Sequence, residues 1–152
     1  MKPKVPPHNL DAENSVLGAI LIDKDAINVA SEILVSGDFY NSQNGMIFDA
    51  MLALYEKRNP IDVVTLSSEL KKQKNADNVA SSYITELVNS VPTAANVEQY
   101  ARLIKDASIK RRLIHLSSEI TQDSFSEDKE LREVIETAES GIFSISQGNT
   151  TR

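Results

Sequence analysis

Apolar residues recur at steps of three and four along most of this chain, the spacing that places them on one face of an α-helix. Asn9 or Asp11 can cap the first such helix, whose apolar positions are Val16, Leu17, Ile20 and Leu21. A second helix is predicted from about Asp25 to Leu34, with Gly37 placed for a left-handed cap after it. Because alternating β-branched patterns are scarce, the pattern predicts an all-α fold.

Three further helices complete a predicted globular head of about five helices over the first ninety or so residues. The third, at about residues 42–58, is apolar on nearly every side and is therefore expected to be central. Asn59-Pro60 ends it, and the fourth helix follows with Val63, Leu66 and Leu70 on one face. A short fifth helix closes at Val91-Pro92 and carries Tyr83, Ile84, Leu87 and Val88.

One long helix is predicted from Thr93 to about Phe125, since neither proline nor glycine interrupts the chain there. Its apolar stripe changes sides near Ser108: Val97, Tyr100, Ala101, Ile104 and Ala107 share one face, and Ile109, Leu113, Leu116 and Ile120 share another. A helix with such a switch packs its two halves on different bodies. We expect the first half to pack on the head and the second half to project beyond it.

A turn at residues 124–129 is followed by apolar residues at coiled-coil spacing, namely Leu131, Ile135, Ala138, Ile142 and Ile145. The pattern predicts an antiparallel helical hairpin in which these residues pack against Ile109, Leu113, Leu116 and Ile120. Two helices alone leave apolar surface exposed, and Ile114 and Phe143 lie off the seam. We therefore expect the hairpin to self-associate or to dock a partner, with Leu131, Ile135, Ala138, Ile142 and Phe143 as candidates for self-association.

These elements suggest four segments along the chain. They are a flexible leader at residues 1–7, the helical head at 8–92, the long helix and hairpin at 93–146, and the start of a polar linker at 147–152. We expect dimerisation and partner docking in the third segment.

Composition narrows the classes of function. The chain has no cysteine, and its two histidines, His8 and His115, are far apart, so neither a disulfide, a metal site nor a cofactor is expected. The excess of 22 acidic over 16 basic residues gives a formal charge of −6, which argues against strong autonomous binding of nucleic acid and favours protein partners. No signal peptide or membrane span is recognisable, so a cytoplasmic location is expected.

The net charge does not reveal a local cluster of cations, which consists of Lys105, Lys110, Arg111 and Arg112. It could contact nucleic-acid phosphates, contact the acidic surface of a protein partner, or simply form a solvated helix face. Because no aromatic residues are interleaved for base stacking, a protein contact is favoured over a nucleic-acid contact.

Catalytic motifs are missing from the sequence. Nothing matches the Gly-x-x-x-x-Gly-Lys-[Ser/Thr] loop that a nucleotide-dependent motor uses to hold phosphate. The carboxylate pairs Asp11/Glu13 and Asp23/Asp25 are typical of solvated loops and helix caps, and His115 is more typical of a surface or interface. We predict that this chain is not an enzyme.

Five blocks of the sequence stand out in order along the chain: Pro6-Pro7 with Asp11-Ala12-Glu13 and Val16-Leu17-Gly18, then Asp38-Phe39-Tyr40, Pro60-Ile61-Asp62-Val63-Val64-Thr65-Leu66, Val91-Pro92-Thr93-Ala94-Ala95-Asn96-Val97-Glu98-Gln99-Tyr100-Ala101, and Arg111-Arg112-Leu113-Ile114. Together they resemble the amino-terminal domain of DnaB-type replicative DNA helicases of bacteria or phages. The resemblance implies a helical head and hairpin, paired amino-terminal domains, and three such pairs in the collar of a hexameric ring. ATP and magnesium would bind a RecA-like ATPase domain that this sequence lacks.

The same resemblance implies a non-catalytic scaffold that supports ring assembly and docks the carboxy-terminal helicase-binding domain of primase. Positions that match the primase-facing surface are Asp11, Tyr83, Ile114 and Ile120. Periodicity agrees for Ile114, which lies off the seam, and conflicts for Ile120, which it places in the seam. Where relatives usually carry Gly-Gly before the tyrosine, this chain has Ala80-Ser81-Ser82.

Other readings stay open. A helicase loader is a further candidate partner. DNA is expected to bind this chain only weakly, or to bind through the ring of the full-length helicase. The chain could instead be a stand-alone regulator, or a nucleic-acid-binding module that uses Lys105, Lys110, Arg111 and Arg112.

Overall fold

The computed structural model describes residues 4–73, 79, 81–91 and 96–150. Within these residues the chain forms helices and no strand, which confirms the all-α prediction. The helices are α1 (Leu10–Ile22), α2 (Ala26–Ile33), a 3-10 turn (Ser36–Asp38), α3 (Ser42–Glu56), α4 (Val63–Lys71), α5 (Ser81–Asn89), α6 (Val97–Phe125) and α7 (Leu131–Thr150). The predicted helix start at Thr93 lies outside the described residues.

The chain groups into two compact units. We call His8–Lys105 the head, and Met1–Pro7 together with Asp106–Arg152 the hairpin unit. The division falls within α6, whose residues up to Lys105 belong to the head. The functional boundaries predicted at 92 and 146 stay predictions.

The core of the head is built around α3. Phe48, Ile47 and Met51 have no exposed surface, which confirms the prediction that this helix is central. Val16, Leu17 and Ile20 of α1, Ile84 and Leu87 of α5, and Val97, Ala101 and Ile104 of α6 are buried in the same core. Burial of this much apolar surface is the main term that stabilises a small helical domain.

Helix α5 lies unusually close to α1 at Gly18. A methyl group added there would lie 2.4 Å from the carbonyl oxygen of Leu87 and 2.4 Å from the Cγ2 atom of Val91. Only a residue without a side chain allows the two backbones to approach this closely. Gly18 therefore fixes where α5, and with it Tyr83, sits on the head.

Side chains cap the head helices α1 and α4. Asn9, rather than Asp11, caps α1, because its Oδ1 atom accepts a hydrogen bond from the backbone nitrogen of Ala12 at 2.9 Å. Asp62 and Thr65 form a reciprocal capping box at the start of α4, with distances of 2.8 and 2.9 Å. These contacts satisfy backbone donors that a helix cannot satisfy by itself.

The predicted left-handed cap at Gly37 is wrong. Gly37 lies in the 3-10 turn and has no positive φ. The turn is held instead by Asp38, whose Oδ2 atom accepts from the backbone nitrogen of Val35 at 2.8 Å. A left-handed residue does end α3: Arg58 has a φ of 59°, and the next backbone nitrogen, that of Asn59, bonds the carbonyl oxygen of Leu54 at 2.9 Å.

The hairpin unit contains an antiparallel pair formed by α7 and the part of α6 after Lys105. Asp123 and Lys129 form an ion pair of 3.3 Å near the turn. Farther along, a methyl group added at Gly141 would lie 2.4 Å from Leu116, and one at Gly148 would lie 3.8 Å from Arg112. Residues later in α7 thus lie next to residues earlier in α6, so the two helices are antiparallel. This confirms the predicted helical hairpin.

The predicted seam is largely right on α6 and only partly right on α7, where Ala138 and Ile145 face inward as predicted. On α6, Leu116 is buried and Ile109 and Ile120 are partly buried, while Leu113 lies at the exposed edge. On α7 the inward-facing positions are Val134, Thr137, Ala138, Gly141 and Ile145, whereas Leu131, Ile135 and Ile142 are exposed. The rotation follows from Gly141, because Leu116 packs directly against the backbone there.

The polar end of the chain is more regular than predicted. The sequence suggested a linker from residue 147, but α7 continues to Thr150. Residues 151 and 152 lie outside the described part of the chain.

Candidate docking surfaces

One face of α7 exposes large apolar side chains. The exposed fractions are 75% for Leu131, 48% for Ile135, 51% for Ile142 and 64% for Phe143. At about 100° per residue, the first three fall within an arc of about 40°, and Phe143 lies about 80° farther round the helix, next to Ile142 along the chain. We call Leu131, Ile135, Ile142 and Phe143 the α7 apolar face.

Ala138 differs from the other residues predicted to self-associate. It is partly buried at the edge of the hairpin seam. It also lines an open depression of about 610 Å³ together with Glu139, Ile142, Phe143 and Ser146. The predicted set therefore lies on one helix, with four exposed members and a partly buried Ala138.

The four positions matched to a primase-facing surface are divided between the units. In the head, Asp11 is exposed in the first turn of α1, and Tyr83 of α5 is half-buried. Tyr83 contacts Asn14, which lies one helical turn after Asp11, so both residues are on the same side of the head. In the hairpin unit, Ile114 is 54% exposed, whereas Ile120 is partly buried on the seam side.

Tyr83 belongs to a polar network that sequence reasoning missed. Its hydroxyl donates to Asn44 Oδ1 at 2.6 Å and lies 3.3 Å from Asn14 Oδ1. Asn44 in turn donates from Nδ2 to Glu13 Oε1 at 3.0 Å and to Asn14 Oδ1 at 3.2 Å. The network joins α1, α3 and α5 beneath the exposed side of Tyr83.

Glu13 anchors this network and is only 1% exposed, so the expectation that it is a solvated carboxylate is wrong. Its carboxylate accepts from the backbone nitrogens of Tyr40 at 2.7 Å and Asn41 at 3.3 Å, besides Asn44. Several donors of this kind compensate a buried carboxylate for the loss of water. One sequence signal was available: Glu13 shares a helix face with Val16, Leu17 and Ile20, all of which are buried.

The environment of Tyr83 favours its neutral form. Burial of the phenol raises the pKa of Tyr83 above its usual value, and the nearby carboxylates of Glu13 and Glu86 raise it further. Tyr83 therefore keeps its proton at neutral pH and acts as the donor to Asn44.

The predicted basic cluster does not form one patch of free cations. Lys105 belongs to the head, where its Nζ atom pairs with Asp38 Oδ2 at 3.1 Å and both side chains are largely buried. In the hairpin unit, Arg111 Nη1 donates to the carbonyl oxygen of Pro7 at 2.8 Å. Lys110 and Arg112 are exposed. Two of the four cations are thus engaged within the chain, which weakens the case for phosphate binding.

Within the described residues, neither a candidate metal site nor a candidate membrane-spanning helix is present. No group of three or more His, Cys, Asp or Glu side chains in that part of the chain could hold a metal ion. No helix among the same residues is both long and apolar enough to cross a membrane.

Comparisons with known proteins agree over most of the chain. The family model described as DnaB-like helicase N terminal domain matches residues 5–106. The replicative DNA helicase DnaC of Bacillus subtilis is 40% identical over 149 residues, which are 97% of this chain and 33% of that protein. The replicative DNA helicase DnaB of Geobacillus stearothermophilus is 39% identical over 145 residues, 95% of this chain and 32% of that protein. The chain thus spans about a third of the length of these relatives.

Solved structures show the same similarity. The crystal structure of the N-terminal domain of DnaB helicase from Mycobacterium tuberculosis superposes with a TM-score of 0.86 at 35% identity, covering 92% of this chain and 99% of that one. A structure of the N-terminal domain of DnaB helicase from Helicobacter pylori, described together with its interactions with primase, has a TM-score of 0.68 at 29% identity. It covers 76% of this chain and 91% of that one.

Proposed function

Because this chain belongs to the family of DnaB-like helicase N-terminal domains, we propose that it is the non-catalytic assembly and docking domain of a cytoplasmic replicative DNA helicase. In this proposal it pairs with a second copy of itself, three pairs build the collar of a hexameric ring, and the collar docks primase. ATP and magnesium would bind elsewhere in the full-length helicase. The observation that carries the proposal is the α7 apolar face.

Pairing through the α7 apolar face is supported by its composition and extent. Four large apolar side chains on one helix, each about half or more exposed, form a surface that costs free energy to keep in water. Monomeric proteins rarely expose contiguous apolar patches of this kind unless the patch binds another molecule. A second copy carries the same patch, so a twofold pairing of α7 against α7 covers both at once.

Light scattering over a range of protein concentrations tests the pairing. The variants Ile142→Asp and Phe143→Asp place a charge in the α7 apolar face, and Val64→Asp places the same charge at a site on α4 that is 77% exposed. We expect wild type and Val64→Asp to associate, and both α7 variants to remain monomeric. The pairing is wrong if all four proteins have the same mass at every concentration.

Docking of primase is proposed for two separate surfaces, one in each unit. The head surface is Asp11 with Tyr83, and the hairpin surface is Ile114 with a smaller contribution from Ile120, which is partly buried. The Helicobacter pylori neighbour is described with its interactions with primase, which supports the same class of partner here. Aromatic and aliphatic side chains at the centre of an interface supply most of its binding energy.

Titration with the carboxy-terminal domain of the primase from the same organism tests the docking. We expect Tyr83→Ala and Ile114→Ala each to weaken binding by about tenfold or more. Val64→Ala serves as the control, because it shortens an exposed apolar side chain outside both surfaces. Undiminished affinity in both single variants and in the double variant would exclude these surfaces.

A further inference from the structure

The hydroxyl of Tyr83 points into the head and not toward a partner. It donates its only proton to Asn44 Oδ1 at 2.6 Å, a short distance for a hydrogen bond between neutral groups. The ring is half-buried, so part of it remains at the surface. What the head offers to a partner at this position is therefore an aromatic surface whose polar end is already occupied.

Asn44 has the buried side chain that holds Tyr83 in place. It has no exposed surface, and its two ends contact chemically different groups. The carboxylate of Glu13 is an acceptor, so the amide must turn its Nδ2 atom toward Glu13, at 3.0 Å, and its Oδ1 atom toward Tyr83. The reversed amide would bring two acceptors together at Glu13, and this leaves one orientation for Asn44.

Glu13 is itself fixed by the backbone. The nitrogens of Tyr40 and Asn41 donate to its two carboxylate oxygens, and Asn41 also caps α3 by accepting from Gln43 and Asn44. The charge on Glu13 therefore sets the direction of the Asn44 amide, and the amide sets the position of the tyrosine hydroxyl. Within the described residues, no buried side-chain nitrogen or oxygen in the chain lacks a hydrogen-bond partner.

We propose that Asn44 is a positioning residue that holds Tyr83 for docking, so that the partner contacts the tyrosine ring and the hydroxyl serves only the internal network. This inference rests on the proposed docking of primase at Tyr83. It adds a specific requirement: the docking site needs an aromatic ring at position 83 and a correctly oriented amide beneath it. Asn44 itself does not contact the partner.

A double-mutant cycle between positions 44 and 83 tests the proposal. The full chain and its variants are titrated with the carboxy-terminal domain of the primase, at a temperature where circular dichroism shows each to be folded. We expect Tyr83→Phe to bind within about twofold of wild type and Tyr83→Ala to weaken binding by about tenfold. Asn44→Ala should weaken binding by about threefold to tenfold in the wild-type background and have no further effect in the Tyr83→Ala background.

A merely structural role for Asn44 gives a different result, because general loosening of the head lowers affinity equally in both backgrounds. That result overturns the proposal, as does a loss in Tyr83→Phe as large as that in Tyr83→Ala. If Asn44→Ala does not fold, Asn14→Ala takes its place, since Asn14 Oδ1 also contacts Asn44 and Tyr83. Tyr55→Phe is the matched control, because its hydroxyl bonds Asn28 outside this network.

The same measurements separate the two proposals. Full affinity in Tyr83→Ala removes Tyr83 from the docking surface, and the positioning role then falls with it. Weak binding in Tyr83→Ala combined with full affinity in Asn44→Ala leaves the docking surface intact and overturns the positioning role alone. Non-additive losses at the two positions support both.

Discussion

The head and the hairpin unit differ in how far their large apolar residues are buried. In the head, large side chains such as Phe48, Leu17 and Leu66 are fully buried. In the described part of the hairpin unit, Leu116 is the one large apolar residue that is buried, while Phe125 is 84% exposed and the α7 apolar face is open. The head therefore has a core of its own, whereas the hairpin unit has a narrow seam between two helices and an exposed apolar surface.

The difference follows from what each helix can reach. In the head, α1, α2, α4 and α5 surround α3 or one another, so apolar residues on several sides find neighbours. In the hairpin unit, two helices can cover only one stripe of each other. Residues outside that stripe stay in water whatever their size, and this leaves Ile142 and Phe143 exposed. An exposed apolar face is thus a consequence of two-helix geometry, and the proposed pairing would cover it.

The largest expected effect lies in the head. Phe48→Ala should lower the free energy of unfolding by about 3–5 kcal/mol, because it removes a fully buried ring and leaves a cavity. Phe143→Ala, measured at a concentration low enough for monomers, should change it by less than about 0.5 kcal/mol. Urea unfolding followed by circular dichroism gives both values. Similar losses in the two variants would contradict the difference between a packed head and an exposed α7 apolar face.

A second, smaller effect is expected where α1 meets α5. Gly18→Ala should cost about 1–3 kcal/mol, because its methyl group would meet the carbonyl oxygen of Leu87 and force the helices apart. Gly37→Ala is the control, since nothing lies within 4 Å of the added methyl group. Thermal unfolding should separate the two variants clearly. If Gly18→Ala melts with the control, the close approach of the helices is incorrect.

Replacing the left-handed residue after α3 should increase the stability of the head rather than decrease it. Arg58 holds a φ of 59°, which is unfavourable for any residue with a side chain. Arg58→Gly should therefore raise the free energy of unfolding of the head by up to about 1 kcal/mol. Lys57→Gly, one residue earlier at a φ of −80°, should lower it instead. A loss in both variants would mean that the Arg58 side chain contributes more than its backbone costs.

The smallest effect concerns alkaline pH. The pKa of Tyr83 is higher in the folded than in the unfolded chain, so the folded state keeps this proton when the unfolded state has lost it. Its stabilising contribution is complete below the unfolded pKa of about 10 and disappears as pH rises through the folded pKa. Unfolding free energy should thus fall less steeply above about pH 10 in Tyr83→Phe than in wild type. Parallel curves would contradict the raised pKa.

How far the sequence predicted the fold depended on the kind of contact. The helices of the head could be predicted from the spacing of apolar residues and from caps. The hairpin could be predicted because the apolar face of α6 changes sides near Ser108. Periodicity failed at Gly141, since a heptad pattern selects large apolar residues and does not detect a glycine that admits Leu116. The rotation of α7 followed from that one contact.

The candidate site was predicted less completely than the fold. Exposure of Ile114 and Phe143 agreed with their positions off the predicted seam. The network under Tyr83 joins three residues that are far apart in the sequence, namely Glu13, Asn44 and Tyr83. Contacts between such distant residues cannot be predicted from local spacing. Likewise, the basic cluster at residues 105–112 looked uniform because the sequence does not show that Lys105 pairs with Asp38.

The central claim, that a second copy covers the α7 apolar face, is tested most directly by the accessibility of that face. The chain has no cysteine, so the single variants Ile142→Cys and Val64→Cys each carry one thiol for labelling with a maleimide. We predict that labelling of Ile142→Cys slows as protein concentration rises, while labelling of Val64→Cys stays constant. A rate for Ile142→Cys that is independent of concentration would contradict the account.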